Sequence, residues 1–444
     1  MSDLLINRLL ILLDDKASMS HSYIHRELKF LLIAIGTRGD IEPFLVIGEK
    51  LMDQGHEVIC QFPEQFRELA MNSKVQFEGL TPDFLELTHS LDGKIITAGS
   101  GPFFKKIGPL FRVYRKSRSI NHTLLMQQHK LVQQIKPDRI LYSTKATYAV
   151  VWEVLNPGKT IHISSAPYVI HPVKSHGNIG FNGNYGKFLN PLTYKFANYF
   201  LIQKIVKSTK TIRKEIGVKS SSISKIVLQK KMVFTISPNL YKEQEYWPEN
   251  VKVLGYHERS ETRDWKPAKE LTDFINSHEK ILFVTFGSMT NPNPEHLTKM
   301  ILRILRKNEI PAIINTAGGG LVQPGSYDSD LFHFVKQVPY HWILPKMHAI
   351  MHHGGAGTSH LAVKYGCASL IIPHTMNQNI WNSINLKLRV GPKGISVKKL
   401  NIRDLTLLIL DLYFTNRYKV NAACLSEKMN KEDCSASLID FVLN

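Results

Sequence analysis

The residues best placed to do chemistry in this sequence are His352-His353-Gly354-Gly355-Ala356-Gly357-Thr358-Ser359. An apolar triplet, Ala349-Ile350-Met351, precedes them, and Ser359 to Tyr365 follows with Leu361, Ala362 and Tyr365 on one helical side. The glycines therefore fall where a strand turns into a helix. Glycine lets backbone N–H groups approach a ligand closely, and a helix start offers unpaired donors with a partial positive charge. That combination is a seat for phosphate. The adjacent histidines can add side-chain hydrogen bonds to phosphate oxygens. Pro373-His374-Thr375-Met376-Asn377-Gln378 follows closely, and a second polar loop, Gly36-Thr37-Arg38-Gly39-Asp40-Ile41-Glu42-Pro43, stands near the other end of the chain.

The elements that must position these loops follow from periodicity. Lys29 to Ile35 predicts a strand buried on both faces. Gly36 to Glu42 is its carboxyl-end loop, and Pro43 to Gln54 reads as the following helix with proline in the first turn. Gly55 ends that helix and His56 to Cys60 starts the next strand, a βαβ unit. Ligands of such sheets bind outside the strand carboxyl ends, where Thr37, Arg38 and Asp40 stand. Pro137 to Tyr142, Lys159 to Ile163 and Met232 to Ser237 read as further strands. Lys280 to Phe286 opens a second unit of the same kind, with a Gly287-Ser288-Met289 turn, a Pro294 to Lys307 helix and a Pro311 to Asn315 strand. The expected fold class is α/β with two Rossmann-like domains. The expected boundaries are a leader over 1–28, a first domain over 29–245, a linker over 246–279, a second domain over 280–415 and a terminal helical segment over 416–444.

At 444 residues the chain is long for one core, which fits two domains. Lysine and arginine exceed acidic residues by 56 − 37 = 19, which permits anionic partners: nucleotide phosphates, nucleic acid or an acidic membrane surface. No nucleic-acid motif stands out, so no nucleic-acid partner is expected. Cys60, Cys367, Cys424 and Cys434 lack metal or redox spacing and read as free thiols of a cytoplasmic protein. No apolar run approaches the ~20 residues that span a bilayer. Leu9 to Leu13 is short and lacks a cleavage site after it, so 1–28 reads as a dispensable leader. Asp328-Ser329-Asp330 reads as a solvated loop, and no metal site is expected. Thr97 to Ile120 mixes apolar and basic residues. It is either an amphipathic core helix with a solvated basic face, or a lid or surface touching anionic lipid at the periphery of a membrane.

Three blocks together carry a resemblance: His352 to Thr358 with Gly366, Pro373, Gln378, Trp381 and Gly391-Pro392; Gly36 to Pro43 with Gly55-His56-Glu57-Val58; and Phe286-Gly287-Ser288-Met289. Spread over residues 30 to 395, they resemble the nucleotide-sugar glycosyltransferases of two facing Rossmann-like domains, the GT-B type of family 1. The nearest branch holds sterol and lipid glucosyltransferases and the enzymes that glycosylate antibiotics. The resemblance implies an active site in the interdomain cleft and a UDP-sugar or dTDP-sugar as co-substrate, with no further cofactor and no metal. It implies inverting transfer of a hexose to a hydroxyl of a lipid-like or small hydrophobic acceptor. His352 matches the family's phosphate-contacting histidine, and Gly354, Gly357 and Thr358 its backbone and hydroxyl donors. Ser288, Thr37 and Arg38 resemble further diphosphate contacts. Val338, within Gln337-Val338-Pro339, falls in the base-binding segment, where Trp342 either lines the pocket or packs in the core. His353 either joins the phosphate contact or packs against the turn.

Asp40 resembles the acidic residue that serves as base in this branch; the alternative is a helix cap, with Glu42 in reserve as base. Asn377-Gln378 stands where the family usually has Asp-Gln to hold the sugar hydroxyls. Asparagine keeps the shape but loses the charge, which leaves the identity of the sugar open. The polar His171 to Gly186 loop is expected near the acceptor, and the last helix is implied to cross back onto the first domain. Two other readings remain: an isomerase acting on the sugar nucleotide, and a catalytically weakened binding homologue, for which Asn377 is the sole support.

Overall fold

Among the described residues twelve strands form two sheets, and every strand pairing within them is parallel. The first sheet holds β1 (Lys29–Ile33), β2 (Glu57–Pro63), β3 (Gln76–Leu80), β4 (Arg139–Tyr142), β5 (Thr160–Ser164), β6 (Lys231–Phe234) and β7 (Val251–Val253), in the order β3-β2-β1-β4-β5-β6-β7. The second holds β8 (Leu282–Thr285), β9 (Ala312–Asn315), β10 (Phe332–Val335), β11 (Ala349–His352) and β12 (Ala368–Ile371), in the order β10-β9-β8-β11-β12. The computed structural model describes residues 26–89, 104–181, 183–259, 265–291 and 293–444. Most of the expected leader, and residues 97–103 of the basic apolar stretch, lie outside the described residues.

The central strands are apolar on both faces because helices cover both sides. In β1, Phe30 and Leu32 enter one core while Leu31 and Ile33 enter the other. Each sheet reverses its strand order once, between β1 and β4 and between β8 and β11. At such a reversal the connections leave toward opposite faces and open a crevice at the strand carboxyl ends. The loop after β1 runs from Ala34 to Thr37, and the loop after β11 is His353 to Gly355. Both chemistry-bearing loops therefore sit where this topology makes ligand sites.

Several elements differ from the sequence reading. The helix after β1 runs Arg38–Asp53, starting five residues before Pro43, because Thr37 and Asp40 form a capping box that supplies its N-terminus. The stretch read as linker contains β7 at the edge of the first sheet and a Lys269–Asn276 helix whose Leu271 and Phe274 enter the second core. The chain between them is shorter than expected and is pinned at both sides. Glu258 pairs with Lys364 and accepts from the Tyr365 hydroxyl at 2.9 Å, both in the second domain. Its neighbour Arg259 binds Glu42 at 3.3 Å, Glu49 at 3.1 Å and Ser73 at 2.7 Å in the first. The basic apolar stretch enters a single 32-residue helix, Phe104–Ile135.

The C-terminal segment is two helices. Asn416–Asn430 packs on the Ala356–Lys364 helix of the second domain. Ser435–Leu443 buries Leu438, Ile439 and Val442 in the core of the first sheet. The His171 to Gly186 loop is fastened down: Tyr168 stacks on His176 at 4.1 Å, and Trp247 Nε1 donates to Pro172 O at 2.8 Å.

Candidate active site

The phosphate seat is built from strand ends. β11 stops at His352, Gly355 is the N-cap, and the Ala356–Lys364 helix begins with no side-chain cap. Its first-turn amides are thus left for a ligand. Gly354 holds φ +89°, and a Cβ there would lie 2.6 Å from Ile371 Cγ2, so only glycine fits. Gly287 turns the chain after β8 directly beside His353; a Cβ on Gly287 would approach His353 Cε1 to 2.9 Å. A third strand end joins them. Gly318, after β9, packs so closely that its Cβ would fall 1.9 Å from Gly287 O. The sequence reading passed over Ala317-Gly318-Gly319-Gly320, although a glycine run just after a strand was a legible signal of close backbone approach.

The two histidines have different places. His352, expected on phosphate, is turned inward. It is fully buried, its Nδ1 accepts from Gly354 N at 3.2 Å, and it lines a small apolar space with Ser359, Trp381 and Val390. Burial pushes its pKa down to about 3, so the ring is neutral near pH 7. The physical reason is the strand's alternation: Met351 points to one core, and His352 shares the opposite side with Ile350. His353 is the histidine against the Gly287 turn. Its pKa is also lowered, first by burial and then by His352 and His374, and its Nδ1 has no hydrogen-bond partner among the described residues. Neither imidazole offers a formal charge. Positive potential at this turn comes from the backbone amides at the helix start.

Tyr340, to which the sequence reading gave no role, ties the site together. Its hydroxyl lies 3.0 Å from Thr285 Oγ1 at the end of β8, and that threonine oxygen also accepts from Gly287 N at 3.2 Å. Burial raises the Tyr340 pKa, while hydrogen bonds from Thr285 and Thr358 and the positive charge of Arg38 oppose the rise. One phenol is thus tied to Thr285 and Thr358 of the seat and feels the charge of Arg38 in the first domain. Val338 is buried just before it. Trp342 packs on Trp265 at 5.0 Å and under Lys346 Nζ at 4.1 Å.

In the first domain Asp40 Oδ2 accepts from Thr37 N at 2.8 Å and from Thr37 Oγ1 at 3.2 Å. Asp40 overlies Gly36, where a Cβ would come within 2.1 Å of Oδ2. Glu42, the reserve base, has one oxygen on Arg38 at 2.6 Å and the other on Arg259 at 3.3 Å. Gln378 Oε1 accepts from His374 N at 2.6 Å and Thr375 N at 3.0 Å, capping its own helix, Met376–Leu388. Asn377 and Ser288 are exposed. No group of three metal-capable side chains occurs among the described residues. Asp328 instead caps the start of β10, accepting from Leu331 N at 3.3 Å.

Both ends of the chain match known families: residues 30–136 match the glycosyltransferase family 28 N-terminal domain, and residues 329–432 match the erythromycin biosynthesis protein CIII-like C-terminal domain. By these matches and by its fold the chain resembles the GT-B glycosyltransferases. It is 25% identical over 428 residues to sterol 3-beta-glucosyltransferase UGT80A2 of Arabidopsis thaliana, and 24% identical over 432 residues to a sterol 3-beta-glucosyltransferase of Debaryomyces hansenii. Each alignment covers 93% of this chain; the chain spans 64% of the length of the first relative and 26% of the second. Its fold matches the glycotransferase of kitacinnamycin with a TM-score of 0.67 at 14% identity, covering 94% of this chain and 98% of that one. It matches the calicheamicin glycosyltransferase CalG4 at 0.66 and 13%, covering 94% and 97%. SsfS6 of Streptomyces sp. SF2575, solved with thymidine diphosphate, matches at 0.57 and 13%, covering 94% and 99%.

Proposed function

We propose that the protein moves a hexose from a UDP-sugar or dTDP-sugar to a hydroxyl of a lipid-like acceptor, with inversion at the sugar carbon and without a metal. The observation that carries this reading is the uncapped start of the Ala356–Lys364 helix, closed in by the tight glycine turns at Gly287, Gly318 and Gly354. The named activity of the sterol glucosyltransferase relatives supports a sterol-like or lipid acceptor, and the nucleotide in SsfS6 supports a nucleoside diphosphate donor.

The diphosphate lies against the first-turn amides of Gly357 and Thr358, with Ser288, His353 and Gly354 around it and Arg38 across the cleft. These groups meet the negative charge that grows as the sugar carbon–oxygen bond breaks. Asp40 takes the acceptor's proton. Its Oδ2 is committed to Thr37, so the proton goes to Oδ1. Val338 borders the nucleobase, and Thr37 stands beside the distal phosphate. Asn377 and the Gln378 amide hold sugar hydroxyls, with Asn377 as a neutral partner in place of a charged one.

A melting-temperature screen with UDP and dTDP tests donor binding, since a ligand that prefers the folded state stabilises it. A shift with one of them, followed by product from the matching hexose donor and a sterol, supports the reading. A chain that shifts with neither nucleotide and yields no glycoside overturns it.

A further inference from the structure

The Gly186–Ser208 helix is apolar on two opposite sides. Tyr194, Ile202 and Ile205 face inward, the last two joining the core that Leu124, Leu125, Leu131 and Val132 of the Phe104–Ile135 helix also enter. On the other side Phe188, Leu189, Leu192, Phe196, Tyr199 and Phe200 form a continuous outward stripe, each between 53% and 78% exposed. A surface helix ordinarily turns polar residues to water. Six large apolar side chains in one outward stripe mark a contact surface.

Charge identifies what that surface meets. Between Glu153 and Glu215 the chain carries nine lysines and arginines and no acidic residue. The Phe104–Ile135 helix packed beside it carries seven and again none, and Arg115, Lys116 and Arg118 on it are exposed. Lys187 Nζ lies 5.1 Å from the Phe188 ring, a long side chain running beside an apolar one. From Phe188 to Phe200 the stripe is roughly 18 Å long, at about 1.5 Å per residue. A second copy laid on the same face would bring two acid-free surfaces together, which like-charge repulsion opposes.

We propose that this face docks on an anionic lipid bilayer. The Gly186–Ser208 helix lies in the plane of the interface with its stripe among the acyl chains, and the lysines and arginines of both helices meet lipid phosphates. The assignment stands apart from the transferase reading, because docking requires neither donor nor acceptor.

Flotation of the full chain with vesicles of phosphatidylcholine, alone or mixed with phosphatidylserine, tests it. The chain should float with the anionic vesicles and much less with the neutral ones, and high salt should weaken the association. The triple variant F188S/L192S/F196S should lose binding by roughly tenfold or more, while its melting temperature and its response to UDP or dTDP match wild type. No flotation on either vesicle, or equal flotation of the variant, overturns the proposal. A wild-type dimer that the triple variant converts to monomer also overturns it and assigns the face to a second copy.

Discussion

Asp40 and the histidine pair make opposing demands on single side chains. Asp40 does two jobs with two oxygens: it holds Thr37 through Oδ2, and the transferase reading asks the other oxygen to take a proton. Asp40→Asn keeps the cap's acceptor oxygen but removes the base. Transfer should fall by about a hundredfold or more while nucleotide binding by melting shift is kept. Its stability should change by no more than about 1 kcal/mol. A variant that still turns over at the wild-type rate would leave Asp40 as a cap alone. At the other loop, His353→Ala should weaken donor binding by roughly tenfold. His352→Leu, which leaves the Gly354 amide without its acceptor, should act on the seat indirectly and weaken donor binding less than His353→Ala does. Because both rings are held neutral by burial, donor affinity measured by calorimetry should show no histidine titration between about pH 6 and 8.

Among the elements, the strand ends that carry the site were legible, and the helix starts were less so. Apolar runs announced β1, β5, β8 and β11, and glycines marked the turns behind β1, β8 and β11. Short β3, β7 and β10 were not read. β7 has three residues close behind Pro248, and β10 follows the polar Asp328 turn, so neither shows a period long enough to detect. His352 and His353 could not be told apart because a one-residue step flips a side chain across a strand, and the exact strand end decides which ring reaches the turn. Tyr340 was invisible because its partners Thr285, Thr358 and Arg38 are distant in sequence and adjacent only after folding. Gly36 shows the reverse case, a glycine visible in the sequence whose need is steric. Gly36→Ala would need a φ of +156° and would collide with Asp40. It should cost roughly 1–3 kcal/mol in denaturant unfolding and lower turnover by displacing the carboxylate.

On the scale of the whole molecule, buried neutral histidines set the response to acid. Burial lowers His171, His360 and His374 to about 4 and His352 to about 3. Unfolding returns each to an ordinary value near 6.5. The unfolded chain thus binds more protons below pH 6.5, and stability rises with pH across that window. The urea midpoint should fall steeply as pH drops from 6.5 toward 4. A flat midpoint there would contradict the burial of these rings. The same scale governs Arg259, whose buried guanidinium separates Glu42 from Glu49. Arg259→Ala should destabilise the protein by about 2 kcal/mol, because it removes the cation between Glu42 and Glu49 and leaves Glu42 with Arg38 alone.

Glu258 and Arg259 are consecutive, yet one grips the second domain and the other the first. The lobes are therefore moored to one another across a single peptide unit, about 3.8 Å of chain. Parting the lobes on that side would mean breaking an ion pair on one flank of this dipeptide or the other, so the joint resists opening from whichever lobe is pulled.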